Sequence, residues 1–96
     1  MTLDELKTSL TGPAPPPGLA PLLRALWHDA RGDWDEAHRL AQDMDDAEGA
    51  WVHAYLHRKE GDAGNAAYWY RRAGKAPATG SLPEEWERIA RALLQP

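Results

Sequence analysis

The chain contains no cysteine and no phenylalanine in 96 residues. Without cysteine there is no disulfide, no thiolate zinc site and no cysteine nucleophile, so a metal would have to be held by histidine and carboxylate. Without phenylalanine the large rings are five Trp and three Tyr. Each carries a polar atom that wants a partner when buried, which places several of them at the edge of the core. No apolar run approaches the length of a bilayer span, and Met1-Thr2-Leu3-Asp4-Glu5 has neither the basic start nor the apolar stretch of a signal peptide. The expectation is a cytoplasmic protein with no membrane role. Positive charge is also scarce: 11 Lys and Arg against 15 Asp and Glu leave a formal net charge of -4, which argues against nucleic acid as a partner. Nucleophilic catalysis has little to build on. Ser9 and Ser81 stand in a linker or at a cap, with no glycine elbow and no phosphate-cradling loop nearby, and no cofactor is expected.

Against these absences stands an internal repeat. Ala25-Leu26-Trp27-His28 with Gly32-Asp33 and Ala37 returns as Ala54-Tyr55-Leu56-His57 with Gly61-Asp62 and Ala66, at a constant spacing of about 29 residues. The unit is a helix, a Gly-Asp turn and a second helix. Leu19, Leu22, Leu23, Leu26, Trp27 and Ala30 follow helical spacing on one stripe, and after Gly32 the stripe Trp34, Ala37, Leu40, Ala41 and Met44 resumes behind Asp33 and Glu36, which have capping-box spacing. A third helix starts near Ala47, presents Trp51, Val52, Tyr55 and Leu56 inward, and ends at Gly61. Asp62 caps a fourth, whose narrow face is Ala63, Ala66, Ala67, Tyr70, Ala73 and Gly74. Thr2 with Glu5 opens a short N-terminal helix, read as an arm or lid. Gly12-Pro13-Ala14-Pro15-Pro16-Pro17-Gly18 cannot be helical. Ser81-Leu82-Pro83-Glu84 opens a last helix with Trp86, Ile89, Ala90, Leu93 and Leu94 inward, expected to cap the open end of the second hairpin.

The expected architecture is therefore all-α and a single domain over residues 1–96. Residues 1–18 form an N-terminal helix and Pro-rich linker, 19–77 two helix-turn-helix repeats, and 81–95 a capping helix.

Gly32-Asp33-Trp34-Asp35-Glu36-Ala37 resembles the turn and second-helix start of a tetratricopeptide repeat, and Gly61-Asp62 with Ala66, Tyr70, Ala73 and Pro77 repeats the likeness. Ala66-Ala67-Tyr68-Trp69-Tyr70-Arg71-Arg72-Ala73 is also similar to the ending of a Sel1-like repeat. The resemblance covers residues 19–77 and implies a protein-interaction module. It departs from the family in the first helix of each unit, where Arg24, His28, His53 and His57 stand in place of apolar residues. The second half, from Trp51 to Gly74, further resembles a segment of small bacterial and fungal proteins for which no activity is established.

Two constellations could carry function. An exposed Tyr68, Trp69, Arg71 and Arg72 set has the composition of an interface hot spot, and binding of a protein or peptide, a second copy of the chain included, would use Trp51, Tyr55, Arg58, Tyr68, Trp69, Arg71 and Arg72 in some combination. This non-enzymatic interaction module is the favoured reading. The alternative is a small-ligand (anion) or metal-binding protein, enzymatic or not. His53, His57 and Glu60 are spaced four and three residues apart and so share one helix face, with Arg24 and His28 at the equivalent place in the first unit. The same face also reads as a solvated polar ridge opposite Trp51 and Tyr55, with Arg31 positioned to pair with Glu60.

Overall fold

A computed structural model describes residues 1–95, so the last residue of the expected domain lies outside the described part. The two Gly-Asp turns close in the same way. Gly32 and Gly61 have φ of 85° and 91°, left-handed values that a residue with a Cβ resists. In each, the glycine N–H and the following aspartate N–H return to the end of the preceding helix: Gly32 N to Asp29 O and Asp33 N to His28 O, then Gly61 N to Arg58 O and Asp62 N to His57 O, all between 2.9 and 3.1 Å. The aspartate then caps the next helix, Asp33 accepting from Glu36 N and Asp62 from Asn65 N. One short sequence thus ends one helix and starts another.

Six helices result, and no strand occurs among the described residues: α1 (Leu3–Ser9), α2 (Pro21–Ala30), α3 (Trp34–Gln42), α4 (Ala47–Glu60), α5 (Ala63–Ala73) and α6 (Leu82–Leu94). The protein is all-α. Each Gly-Asp turn folds its two helices against one another, α2 on α3 and α4 on α5, and α3 packs on α4 to join the pairs. Reciprocal capping boxes form at Thr2/Glu5 and Ser81/Glu84. At Asp33 only half of one forms, because the Glu36 carboxylate turns instead to Arg39.

α4 departs most from its sequence pattern. It is surrounded by α2, α3, α5 and α6, and nine consecutive residues from Gly49 to His57 are buried, so the expected solvated face does not exist. Its first turn lies so close to the preceding loop that a Cβ on Gly49 would fall 2.1 Å from Met44 O.

The terminal helices also sit differently from the expectation. α6 lies across α2 and α4, the first helices of both pairs, where Trp86 Nε1 donates to Leu26 O at 3.0 Å. α1 packs on α6 rather than forming an arm: Leu6 is fully buried, Lys7 pairs with Glu87 at 2.7 Å, and Trp27 Nε1 donates to Ser9 Oγ at 3.2 Å. Arg31 binds the Leu10 and Gly12 carbonyls and holds the start of the proline segment. In this phenylalanine-free core, the indole N–H groups of Trp27, Trp34 and Trp86 each find an oxygen acceptor. Among the described residues no buried side-chain N or O lacks a partner.

Candidate metal centre

Three histidines from two helices meet between α3, α4 and α5. On α3, Trp34 and His38 are one turn apart and lie stacked, with ring centroids at 4.8 Å and 12° between planes. Trp34 is itself fixed by its indole N–H, which donates to Leu56 O at 2.8 Å. On α4, His53 and His57 are likewise one turn apart, their centroids 4.8 Å from each other. Trp69 of α5 stacks on the other face of His53 at 3.9 Å and 14°. His38 enters this stack edge-on, perpendicular to His53, and its Nε2 lies 2.9 Å from His53 Nε2.

Each of His38, His53 and His57 brings a ring nitrogen within 4.8 Å of the other two. His53 and His57 are buried and His38 is half-buried. His57 Nδ1 is engaged by Glu60 Oε2 at 2.6 Å, which leaves Nε2 as its free ligand atom. A carboxylate on the far nitrogen of a ligating imidazole fixes the ring and raises its basicity, the usual arrangement behind a metal-bound histidine. A tetrahedral ion with metal–nitrogen bonds of 2.0–2.1 Å separates its ligand nitrogens by about 3.3 Å, so the closest pair needs to open by only a few tenths of an ångström. Between the neutral rings the 2.9 Å contact is a hydrogen bond in which one Nε2–H donates. Coordination by both rings would require the donating ring to carry its proton on Nδ1 instead.

Electrostatics keep these rings in the form that binds cations. Burial, and then the proximity of His38 and His57, pushes the His53 pKa down to about 4. Burial, followed by His57, lowers that of His38, against a smaller opposing effect from Glu60 and Asp35. Both rings are therefore neutral at pH 7, with lone pairs not claimed by protons. A second group, His57 with Glu60 and Asp62, also falls within 4.8 Å, but both carboxylates are exposed and Asp62 is occupied as the α5 cap.

The sequence placed His53, His57 and Glu60 together, and they are together, although Glu60 stands behind His57 rather than beside the rings. It did not find His38. The available signal was the one-turn spacing of Trp34 and His38 along the edge of the Ala37/Ala41 stripe. It passes unnoticed while α4 is taken to have an open face with no helix opposite. Arg24 and His28 do not join the cluster. Arg24 is exposed, and the His28 ring meets Trp27 edge-on at 5.2 Å. Nor does Arg31 reach Glu60, being held by the loop carbonyls.

The proposed interface set is divided by the fold. Trp51 and Tyr55 are core residues, 8% and 2% exposed, and offer no docking surface. Trp51 is covered by Lys75, whose Nζ lies 4.2 Å from the ring centroid. Arg58 and Lys59 are not a free basic patch, because each meets a carboxylate that is 1% exposed. Arg58 binds Glu85 at 2.9 Å, and Lys59 binds Asp29 at 2.9 Å. Tyr70 and Tyr55 donate to the second oxygens of these carboxylates, and burial, with the neighbouring negative charge, pushes both phenols up. Tyr68, Arg71 and Arg72 remain at the surface, with the Arg72 guanidinium 5.1 Å from the Trp69 ring centroid and its Nη1 bonded to Tyr68 OH at 3.0 Å.

Comparison with protein-family models, with curated proteins and with solved structures finds no match. Among the described residues, no helix is long and apolar enough to cross a membrane.

Proposed function

We propose that this is a metal-binding protein that holds one zinc-class divalent ion through His38, His53 and His57, with Glu60 as the carboxylate behind His57. The observation that carries the reading is the convergence of three imidazoles, two of them buried, with a carboxylate already on the far nitrogen of one. Neutral imidazole suits zinc, copper and nickel, and a chain without thiols offers such ions no thiolate alternative. The ion would tie α3 to α4, and its binding free energy would add to folding stability. We take the setting to be the cytoplasm, in keeping with the soluble-type charge balance.

Calorimetric titration of the apo-protein with Zn²⁺ tests this. One ion per chain is expected, with binding lost in His38→Asn and His53→Asn and weakened 10- to 100-fold in Glu60→Gln. Absence of saturable binding, or binding unchanged in His38→Asn, refutes it.

A protein- or peptide-binding role, as in tetratricopeptide-like modules, is a second reading supported by one observation. Tyr68 is 43% exposed and packs with Arg72 beside the half-buried Trp69, an aromatic–arginine patch of interface type. A partner captured by the wild type and retained by a Tyr68→Ala/Arg72→Ala double variant would refute that reading.

A further inference from the structure

Tyr55 and Lys59 each stand two residues beyond a cluster histidine, which at about 100° per residue puts them on the opposite side of α4. That side is closed by helices: both side chains meet Asp29 of α2, and α6 joins α4 through Glu85 and Arg58. The histidine side is built differently. α3 and α5 flank it, α3 packing on α2 and α4 and α5 on α4, and among the described residues no further helix crosses between them. His53 and His57 are therefore covered there by rings. Trp69 stacks on His53, and Trp34 meets His57 edge-on at 5.9 Å while stacking on His38. Trp34, His38 and Trp69 are each half-buried, so the cover itself borders solvent.

Three imidazoles leave a tetrahedral ion one ligand short. Among the described residues no further histidine or carboxylate shares the group, and the chain has no cysteine to add. Glu60 is engaged at the far nitrogen of His57 and Asp62 as the cap of α5. Zinc sites with three protein ligands keep the fourth position for water or a ligand from solution. The charge at that position selects the ligand. All three donors are neutral, so the ion's 2+ charge is not offset by any of them, and the carboxylates of Glu60 and Asp62 are exposed and screened by water. Access selects its size. His53 and His57 are each only 6% exposed, so the way in runs past the half-buried His38 and admits a ligand of few atoms.

We propose that the ion's fourth position stays open to solution and takes a small monodentate anion, which enters at the rim formed by Trp34, His38 and Trp69. This rests on the metal-binding reading above, and it adds an exchangeable ligand to what is otherwise a structural ion.

Azide titration of the Co²⁺-loaded protein tests it, because the visible bands of cobalt report the ligands around it. A saturable shift with one azide per ion is expected, reversed by dialysis and absent without metal. Benzoate, a bulkier anion, should bind at least tenfold more weakly. If the chain takes up zinc but not cobalt, the infrared stretch of azide added to the Zn²⁺ form supplies the same titration. An ion that binds while the bands and the stretch stay unmoved by azide overturns the open position and leaves the metal reading standing. Benzoate binding as tightly as azide overturns the narrow entry, and uptake of neither ion overturns both the proposal and the reading it rests on.

Discussion

Mild acid should destabilise this protein through one histidine, by an amount the structure sets. His53 has a folded-state pKa of about 4 because it is buried and faces two other imidazoles, whereas in the unfolded chain it has the ordinary value of 6.5. Between these values the unfolded chain binds a proton that the folded one excludes, so stability falls as pH drops through 6.5 and stops falling near 4. For that single group the loss between pH 8 and pH 5 is about 2 kcal/mol. His38, whose pKa is also lowered, adds to it in the same direction. Most carboxylates stay ionised down to pH 5, so this window isolates the imidazoles. Urea unfolding of the metal-free protein at half-unit pH steps would measure the effect. His53→Asn, which keeps a polar side chain but cannot titrate, should flatten the curve over the same window. A wild-type stability that is level from pH 8 to pH 5, or an identical fall in His53→Asn, would show that His53 is not shielded as described.

Three other outcomes follow from particular contacts. Gly49→Ala should cost about 3 kcal/mol, because its Cβ would overlap a backbone carbonyl that cannot swing away, and chemical denaturation would read the loss. Arg58→Met should cost about 3–5 kcal/mol by stranding the Glu85 carboxylate, and Arg58→Met/Glu85→Met should recover most of it in the same assay. Gly61→Ala should cost about 1 kcal/mol from its positive φ alone, since nothing lies near its Cβ, and a thermal melt a few degrees lower would register it.

The turns and caps were legible in the sequence because they are local. Gly32-Asp33 and Gly61-Asp62 each contain the glycine that leaves one helix and the carboxylate that starts the next, and no distant contact is needed to read them. The inward stripes of α2, α3 and α6 were legible for the same reason, apart from Ala30 at the end of α2, which is exposed: one face meets the core and the other meets water. On α4 the Trp51/Val52/Tyr55/Leu56 face was legible too, but the burial of the opposite face was not, because periodicity finds a buried face only where an exposed one contrasts with it, and a helix surrounded by four others has little contrast to offer. That misreading put His53 and His57 on a solvated ridge and hid His38, while Trp51 and Tyr55, read as inward, were nonetheless offered to a partner. The roles of Arg58 and Lys59 were equally out of reach, since Glu85 and Asp29 lie 27 and 30 residues away in the chain. Read alone, the two basic residues look like surface charge.

The histidine cluster is tested most directly by locating the ion. Crystals grown with one equivalent of Zn²⁺, with data collected on both sides of the zinc absorption edge, should show a single anomalous peak about 2.0–2.1 Å from nitrogens of His38, His53 and His57, with Glu60 on the far side of the His57 ring. A peak on the exposed carboxylates of Glu60 and Asp62, or no ordered peak in that chain, would contradict the assignment.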